Sequence, residues 1–392
     1  MNETLNAVAA GRVFDGVRLH DDAAVLVDGT GIAGVVQRRD LPARIPLREL
    51  PEGAWLAPGF IDIQVNGGGD VLFNDMPTPE TVRTIVAAHR KRGTTATLPT
   101  LISDGFEKMR EALAAIEALI GTEPGVLGIH LEGPFLSAGK AGVHKIAALR
   151  PPTADDFKAI AAPRDGVTLV TLAPEEVPED FIKKLAAAGV RVALGHSMAT
   201  YAQTKAAMAA GLSGFTHLFN AMRPLASREP GPIAAALESP NAWYGLIADG
   251  IHVAPAMLRL AFRGAGRPIL VSDAMPPVGG ARNSFALYGE TISVQNGRCT
   301  RADGTLAGAC LDMASAVRNC VQLCDVPLPD ALRFASTNAA EFLGLGGMLG
   351  RLAPGMRADM VALDPTRIEV LDCWVAGANV SKQDARRPHH QP

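Results

Sequence analysis

Cysteine is scarce in this 392-residue chain. Its five copies, Cys299, Cys310, Cys320, Cys324 and Cys373, are odd in number and form no C-x-x-C pair. That pattern points away from a disulfide framework and from a thiolate zinc site, and fits free thiols in a reducing compartment. Dense Lys/Arg blocks are also missing, and the formal net charge is −3 at pH 7. The electrostatic footprint of a nucleic-acid or anionic-membrane partner is therefore absent, and neither is expected. Nowhere do about 18 apolar residues run uninterrupted. The opening MNETLNAVAAGRVFDG lacks a basic region followed by an apolar stretch and a cleavage site, so a cytoplasmic protein is expected. No phosphate-binding G-x-x-x-x-G-K-[ST] occurs, and the NGGGD stretch lacks the G-x-G-x-x-G spacing of a dinucleotide site. The closing RRPHHQP, with its two histidines, reads as a frayed tail in preference to a weak surface metal site.

What is present describes a large globular protein. Hydrophobic residues make up 48% and charged residues 20% of the chain, near the average for globular proteins. The length exceeds the roughly 100–200 residues of one ordinary domain, and a barrel takes roughly 250. One large and one small domain follow as the expectation. Residues 5 to 56 read as short strands with turns, as in AAVLVDGTGIAGVV, and the same texture returns at 351 to 375. The expected division is a small β-domain from 1–56 and 351–392, with a catalytic domain over 57–350.

Inside that central stretch, candidate strands fall at Phe60 to Val65, Thr95 to Pro99, Val126 to Leu131, Thr168 to Leu172, Arg191 to His196, Gly214 to His217, Tyr244 to Ala248 and Pro268 to Ser272. Segments such as PETVRTIVAAHRKRG and EDFIKKLAAAGV lie between them and have the apolar spacing of helices that pack one face on a sheet. Eight strand-then-helix units predict a (β/α)8 barrel, with a doubly wound open sheet as the alternative.

Catalytic groups of such a barrel cluster at the C-terminal ends of its strands. Glu132 ends the third strand in GIHLEGPF, His196 the fifth in VALGHS, His217 the sixth in GFTHLFNAM and Asp273 the eighth in LVSDAM. Two imidazoles and a carboxylate are three ligands that suit zinc and leave a position open for water. Such a site acidifies water to a pKa of about 7 and polarises a carbonyl, which suits hydrolysis of an unreactive amide. Asp273 then fits a proton shuttle from the attacking water to the departing amine. A lone histidine at a strand end is more often structural. Four polar residues converging on one mouth are harder to explain that way, because buried charges need partners or a metal. His130 shares a strand face with Glu132, either supporting the site or as a core histidine bonded to backbone.

These stretches resemble the N-acetylglucosamine-6-phosphate deacetylases of the amidohydrolase superfamily, over almost the whole chain. The similarity is carried by PGFIDIQVNGGGD (58 to 70), HLEGPFLS (130 to 137), GHSMAT (195 to 200), THLFNAM (216 to 222), ADGIHV (248 to 253) and VSDAM (271 to 275), together with TNAAEFLGL and GRLAPGMRADMVALD. The resemblance implies a metal-bearing barrel and a small β-sandwich built from both termini. It also implies hydrolysis of N-acetylglucosamine 6-phosphate to glucosamine 6-phosphate and acetate, in amino-sugar catabolism or cell-wall recycling. Glu132, His196 and His217 become metal ligands and Asp273 the acid/base. His144 resembles the family histidine at the substrate carbonyl, where it helps stabilise the oxyanion. Arg228 and His252 look like phosphate contacts. Val143, Asn220, Ala221 and a turn of Leu306, Ala307 and Gly308 match stretches that line the sugar pocket. Where most of the superfamily has His-x-His for a second metal, this chain has Gln64-Val65-Asn66, which implies one divalent metal per subunit, with Gln64 hydrogen-bonding near the site. Zinc is the expected ion, and iron, manganese or cobalt can replace it in such a ligand set. The family's phosphate contacts lie near a subunit boundary, so the resemblance implies a homodimer.

Other functions remain in view. A cyclic-amide hydrolase on the same scaffold usually bridges two metals with a modified lysine, whereas the fourth strand here ends in TLAPEE. The galactosamine epimer of the substrate is not separable from these motifs. A scaffolding protein that lost catalysis is a rival of another class, but it is expected to have damaged ligands, and all four are present.

Overall fold

Eight parallel strands form where the apolar runs lie, at Phe60–Val65, Thr94–Ile102, Gly128–Glu132, Val167–Leu172, Arg191–Leu194, Gly214–Phe215, Trp243–Leu246 and Arg267–Leu270. The computed structural model describes residues 5–380; the RRPHHQP tail lies outside the described residues. The eight strands pair in sequence order, and a parallel bridge from Val65 to Ala274 joins the two ends. This is a closed (β/α)8 barrel, which rules out the doubly wound open sheet. Its first two strands are buried along their whole length, as expected of strands covered on both faces.

Helices follow the strands as the spacing predicts. Pro79–Arg90 and Glu179–Ala187 occupy the two helical stretches singled out above, the latter burying Phe181, Ile182 and Leu185. After the eighth strand the chain builds a four-stranded antiparallel meander, Ser284–Leu287, Glu290–Gln295, Arg298–Thr300 and Leu306–Ala309. Two-residue turns at Tyr288-Gly289 and Asn296-Gly297 join its first three strands, with all four residues at positive φ, as such hairpins require. Leu306–Ala309 is thus a strand where a turn was expected, and Ala309 bridges to Ala274 beside the eighth barrel strand.

The chain divides into two compact units, one of residues 1–62, 89–96 and 313–392, the other of 63–88 and 97–312. The first contains a sheet built from both ends of the chain, in which Trp55–Pro58 lies between Leu5–Phe14 and Met360–Asp364. Val8, Val13, Val25, Ile32, Leu56, Met360 and Trp374 join one hydrophobic cluster although they come from six strands of that sheet. Ala7, Ala9 and Ala24 pack in a second cluster. Alternation along each strand feeds the two faces, and the result is a small β-sandwich. Among the described residues no helix is long and apolar enough to cross a membrane.

Candidate metal centre and active site

The barrel presents its polar residues where the strands end. Glu132 is the last residue of the third strand, while His196, His217 and Asp273 lie just beyond the ends of theirs. The last three have positive φ values of 49°, 32° and 48°. Non-glycine residues in that region cost roughly 1–3 kcal/mol each and persist where the surroundings over-determine them. Here Asp273 N donates to Gln64 O at 3.0 Å, and Leu218 N, next to His217, donates to Gly245 O at 2.8 Å. The segment after His196 runs directly into a helix, Tyr201–Ala209, fixed by a capping box between Thr200 and Gln203.

Glu132 Oε1, His196 Nε2 and His217 Nε2 form a triangle with sides of 3.0 Å. Ligand atoms at tetrahedral angles and about 2.0–2.1 Å from a zinc-sized ion stand about 3.3 Å apart, so the triangle is close to a ready-made coordination face. Its own chemistry also calls for a cation. His196 Nδ1 lies 2.8 Å from the Lys140 carbonyl oxygen; it donates there, which leaves Nε2 as a bare lone pair aimed at the other two atoms. Burial would raise the Glu132 pKa, but the close imidazoles of His196 and His217 outweigh it and hold the carboxyl well below its usual range. Burial would lower His217, yet its bond to Glu132 prevails and raises it. Positive charge is favoured at this point, and a divalent metal fits the three buried ligands.

Asp273 faces the triangle. Its Oδ1 accepts from Asn66 Nδ2 at 2.7 Å and from Gln64 Nε2 at 3.1 Å, and Gln64 Nε2 also lies 3.3 Å from Glu132 Oε2. Burial, reinforced by the Glu132 charge, raises its pKa to about 6.

His144 completes the group. The Ser103 backbone N–H donates to its Nδ1 at 3.2 Å, and Ser103 Oγ lies 2.8 Å from the same nitrogen. Nε2 therefore carries the hydrogen, and it stands 3.9 Å from Glu132 Oε1. Burial and the neighbouring His196 push the ring pKa down to about 3, so His144 is a neutral donor. His252 Nδ1 pairs with Asp249 Oδ2 at 2.6 Å, and Asp249 Oδ1 accepts the N–H groups of Ile251 and His252 at 2.8 Å each. His130 contacts Thr100 Oγ1 at 3.2 Å and Thr171 Oγ1 at 2.7 Å. It is a core histidine held by threonine hydroxyls within the barrel, not by backbone, and burial lowers its pKa to about 4.

A cavity of about 540 Å³ opens over these groups, within the roughly 300–1,000 Å³ usual for small-molecule sites. Glu132, His196, His217, Asp273, His144, Val143, Asn220, Ala221, His252, Leu306 and Gly308 line it. Ala307 does not; it is fully buried and packs in the cluster of the antiparallel meander. Arg228 is exposed and lies outside the cavity lining. The sequence reading missed Asn66, Ser103, Asp249 and the Lys140 carbonyl. Asn66 was legible as a polar residue two positions beyond Gln64 on the same face; the others act through contacts that no local pattern announces.

The amidohydrolase family model matches residues 55–385. The chain belongs to the amidohydrolase family. This metal-dependent hydrolase is 45% identical over 336 residues to the N-acetylgalactosamine-6-phosphate deacetylase of Shewanella sp. strain ANA-3, covering 85% of this chain and 84% of that protein. It is 34% identical over 349 residues to the N-acetylglucosamine-6-phosphate deacetylase of Haemophilus influenzae, covering 88% and 91%. Among solved structures, the N-acetylglucosamine-6-phosphate deacetylase of Pasteurella multocida superposes with a TM-score of 0.92 at 34% identity, over 95% of this chain and 98% of that one. An Asp-to-Ala variant of the Mycobacterium smegmatis enzyme, in complex with N-acetyl-D-glucosamine 6-phosphate, gives 0.87 at 32% identity, over 96% and 99%.

Proposed function

We propose that this amidohydrolase removes the acetyl group of N-acetyl-D-glucosamine 6-phosphate, releasing glucosamine 6-phosphate and acetate. The observation that carries the reading is the convergence in one cavity of a three-ligand metal face, a carboxylate and a neutral N–H donor. Asp273 accepts the proton of the attacking water on Oδ2, because Oδ1 already takes two amide hydrogens, and returns it to the departing nitrogen. His144 Nε2–H faces the substrate carbonyl oxygen and stabilises the charge that develops there. A divalent metal bound by Glu132, His196 and His217 acidifies water and polarises the carbonyl. Zinc is our assignment, at one per chain, since Gln64 and Asn66 are neutral amides that make poor ligands.

Val143, Asn220, Ala221 and the Leu306-Ala307-Gly308 strand hold the sugar in this reading, with Ala307 contributing backbone only. His252 and Arg228 hold the phosphate; the exposed position of Arg228 beyond the cavity suits a phosphate bound near a subunit boundary in a homodimer. The same reading takes 1–56 with 351–392 as the small domain, 57–350 as the catalytic domain, and the cytoplasm as the location. The 45% identity to the Shewanella enzyme favours a second substrate, the N-acetylgalactosamine epimer.

Acetate release from both phosphosugars and from unphosphorylated N-acetylglucosamine tests the reading, using protein of measured metal content beside Asp273→Asn. Hydrolysis of a phosphosugar alone, one metal per chain, and a variant slowed about 10²–10⁴-fold with its metal retained are the expected results. Metal without hydrolysis of either phosphosugar removes the substrate assignment, and two metals per chain at full activity remove the single-metal claim.

A further inference from the structure

We propose that Ser103 is the positioning residue that holds His144 with its proton on Nε2, and that Asn74 and Tyr288 in turn hold Ser103. The role given to His144 rests on the deacetylase reading; the tautomer does not.

A backbone N–H can only donate, so the 3.2 Å contact from Ser103 N to His144 Nδ1 makes that nitrogen an acceptor. The Ser103 hydroxyl, 2.8 Å away, adds a second donor, and its other acceptor, the Glu132 carbonyl oxygen, is farther at 3.4 Å. The opposite tautomer would set Nδ1–H against the Ser103 N–H inside a site where Ser103 and His144 are 1% and 5% exposed, leaving a buried donor unsatisfied. The hydroxyl sits in the space that Gly133 leaves open, where a Cβ would meet Ser103 Oγ at 2.2 Å.

Ser103 is itself clamped from two sides. Asn74 Nδ2 donates to Ile102 O at 2.9 Å and Asn74 Oδ1 accepts from Ile102 N at 2.9 Å. The Ile102 carbonyl and the Ser103 N–H belong to one planar peptide, so Asn74 on one edge aims the N–H at His144 on the other. Tyr288 Oη, at the first hairpin of the antiparallel meander, donates to the Ser103 carbonyl at 2.6 Å. Three segments distant in sequence thus set which nitrogen of His144 faces the cavity.

The test combines kinetics with a direct reading of the tautomer. Long-range ¹H–¹⁵N spectra of zinc-loaded, ¹⁵N-histidine-labelled full-length protein, with His144→Gln assigning the signal, are expected to show Nε2–H in the wild type. In Asn74→Ala, which frees the peptide that aims the Ser103 N–H, a mixture of tautomers appears and kcat falls about tenfold or more, with KM changed by less than about twofold; Ser103→Ala, which keeps that N–H, keeps the proton on Nε2 and loses less. Tyr288→Phe removes one hydroxyl from a partly exposed ring and moves kcat in the same direction by less. A wild-type proton on Nδ1 overturns the proposal. So does an Asn74→Ala protein that loses kcat while its tautomer is unchanged, because the clamp on Ser103 is then merely structural, and so does one in which neither quantity moves. If the wild type hydrolyses no phosphosugar, the deacetylase reading fails and the spectra alone decide the role of Ser103.

Discussion

A carboxylate that takes two amide hydrogens on one oxygen has a single oxygen left for a travelling proton. That is the condition of Asp273, with Asn66 and Gln64 both on Oδ1. The Asn66 bond favours the ionised form and offsets part of the upward push of burial on a group poised at about 6. Removing it raises the Asp273 pKa, and a base that stays protonated to higher pH is lost to the reaction there. In Asn66→Ala the acid limb of the kcat/KM profile is therefore expected to move to higher pH, and a limb that stays in place or moves down would contradict the assignment. At this scale the sequence displayed the metal face and Asp273, because strand ends of a barrel are places where side-chain type alone carries meaning. It also led to Gln64, which does bond near the site. Ser103, Asn74 and Asp249 stayed hidden, since each works by orienting a backbone group or a ring brought near by the fold.

The loops that carry these residues are pinned by short elements whose stability can be measured. Arg150 grips Asp156 with two bonds of 2.6 and 2.7 Å, and Asp156 also accepts from Thr153 N and Oγ1, capping the helix Ala154–Ile160. Burial would raise the Asp156 pKa, but Arg150 and Thr153 outweigh it and lower it. A depressed carboxyl contributes stability that is present above its unfolded pKa of about 3.9 and is lost as the pH falls below that. Asp156→Ala is expected to cost about 2–4 kcal/mol near neutrality in urea unfolding, because it strands a partly buried guanidinium and removes a cap, and the deficit narrows below about pH 4. The antiparallel meander was the largest element left unread. Asn296-Gly297 is the standard signal of a two-residue hairpin, but the strands it joins are short and half exposed, and their alternation is too brief to stand out. The expected turn at Leu306 to Gly308 is instead an edge of that sheet, with Gly308 at a φ of +61° where a Cβ would meet Met275 Cγ at 2.5 Å.

Over the whole chain, all eight barrel strands fall within a few residues of the apolar runs that predicted them, since a strand buried on both faces needs a continuous hydrophobic run and the polar residues around it mark its limits. Subunit association is not written in such runs. The proposed homodimer rests on family resemblance, and sedimentation is expected to return twice the chain mass; a fully active monomer refutes it.

The seam at which the barrel closes has a consequence for how the enzyme fails. Val65 meets Ala274 there, and Asp273 with its two amide donors straddles the join, whereas Glu132, His196 and His217 hang from the third, fifth and sixth strands on the continuous wall. In the proposed mechanism, holding the ion and handling the proton are thus entrusted to parts of the cylinder with separate mechanical fates. In a barrel that begins to gape at its seam, the wall keeps its grip while the acid/base drifts from its donors. Under rising denaturant, activity should disappear before the metal is released, and the enzyme would pass through a state that is loaded and inert.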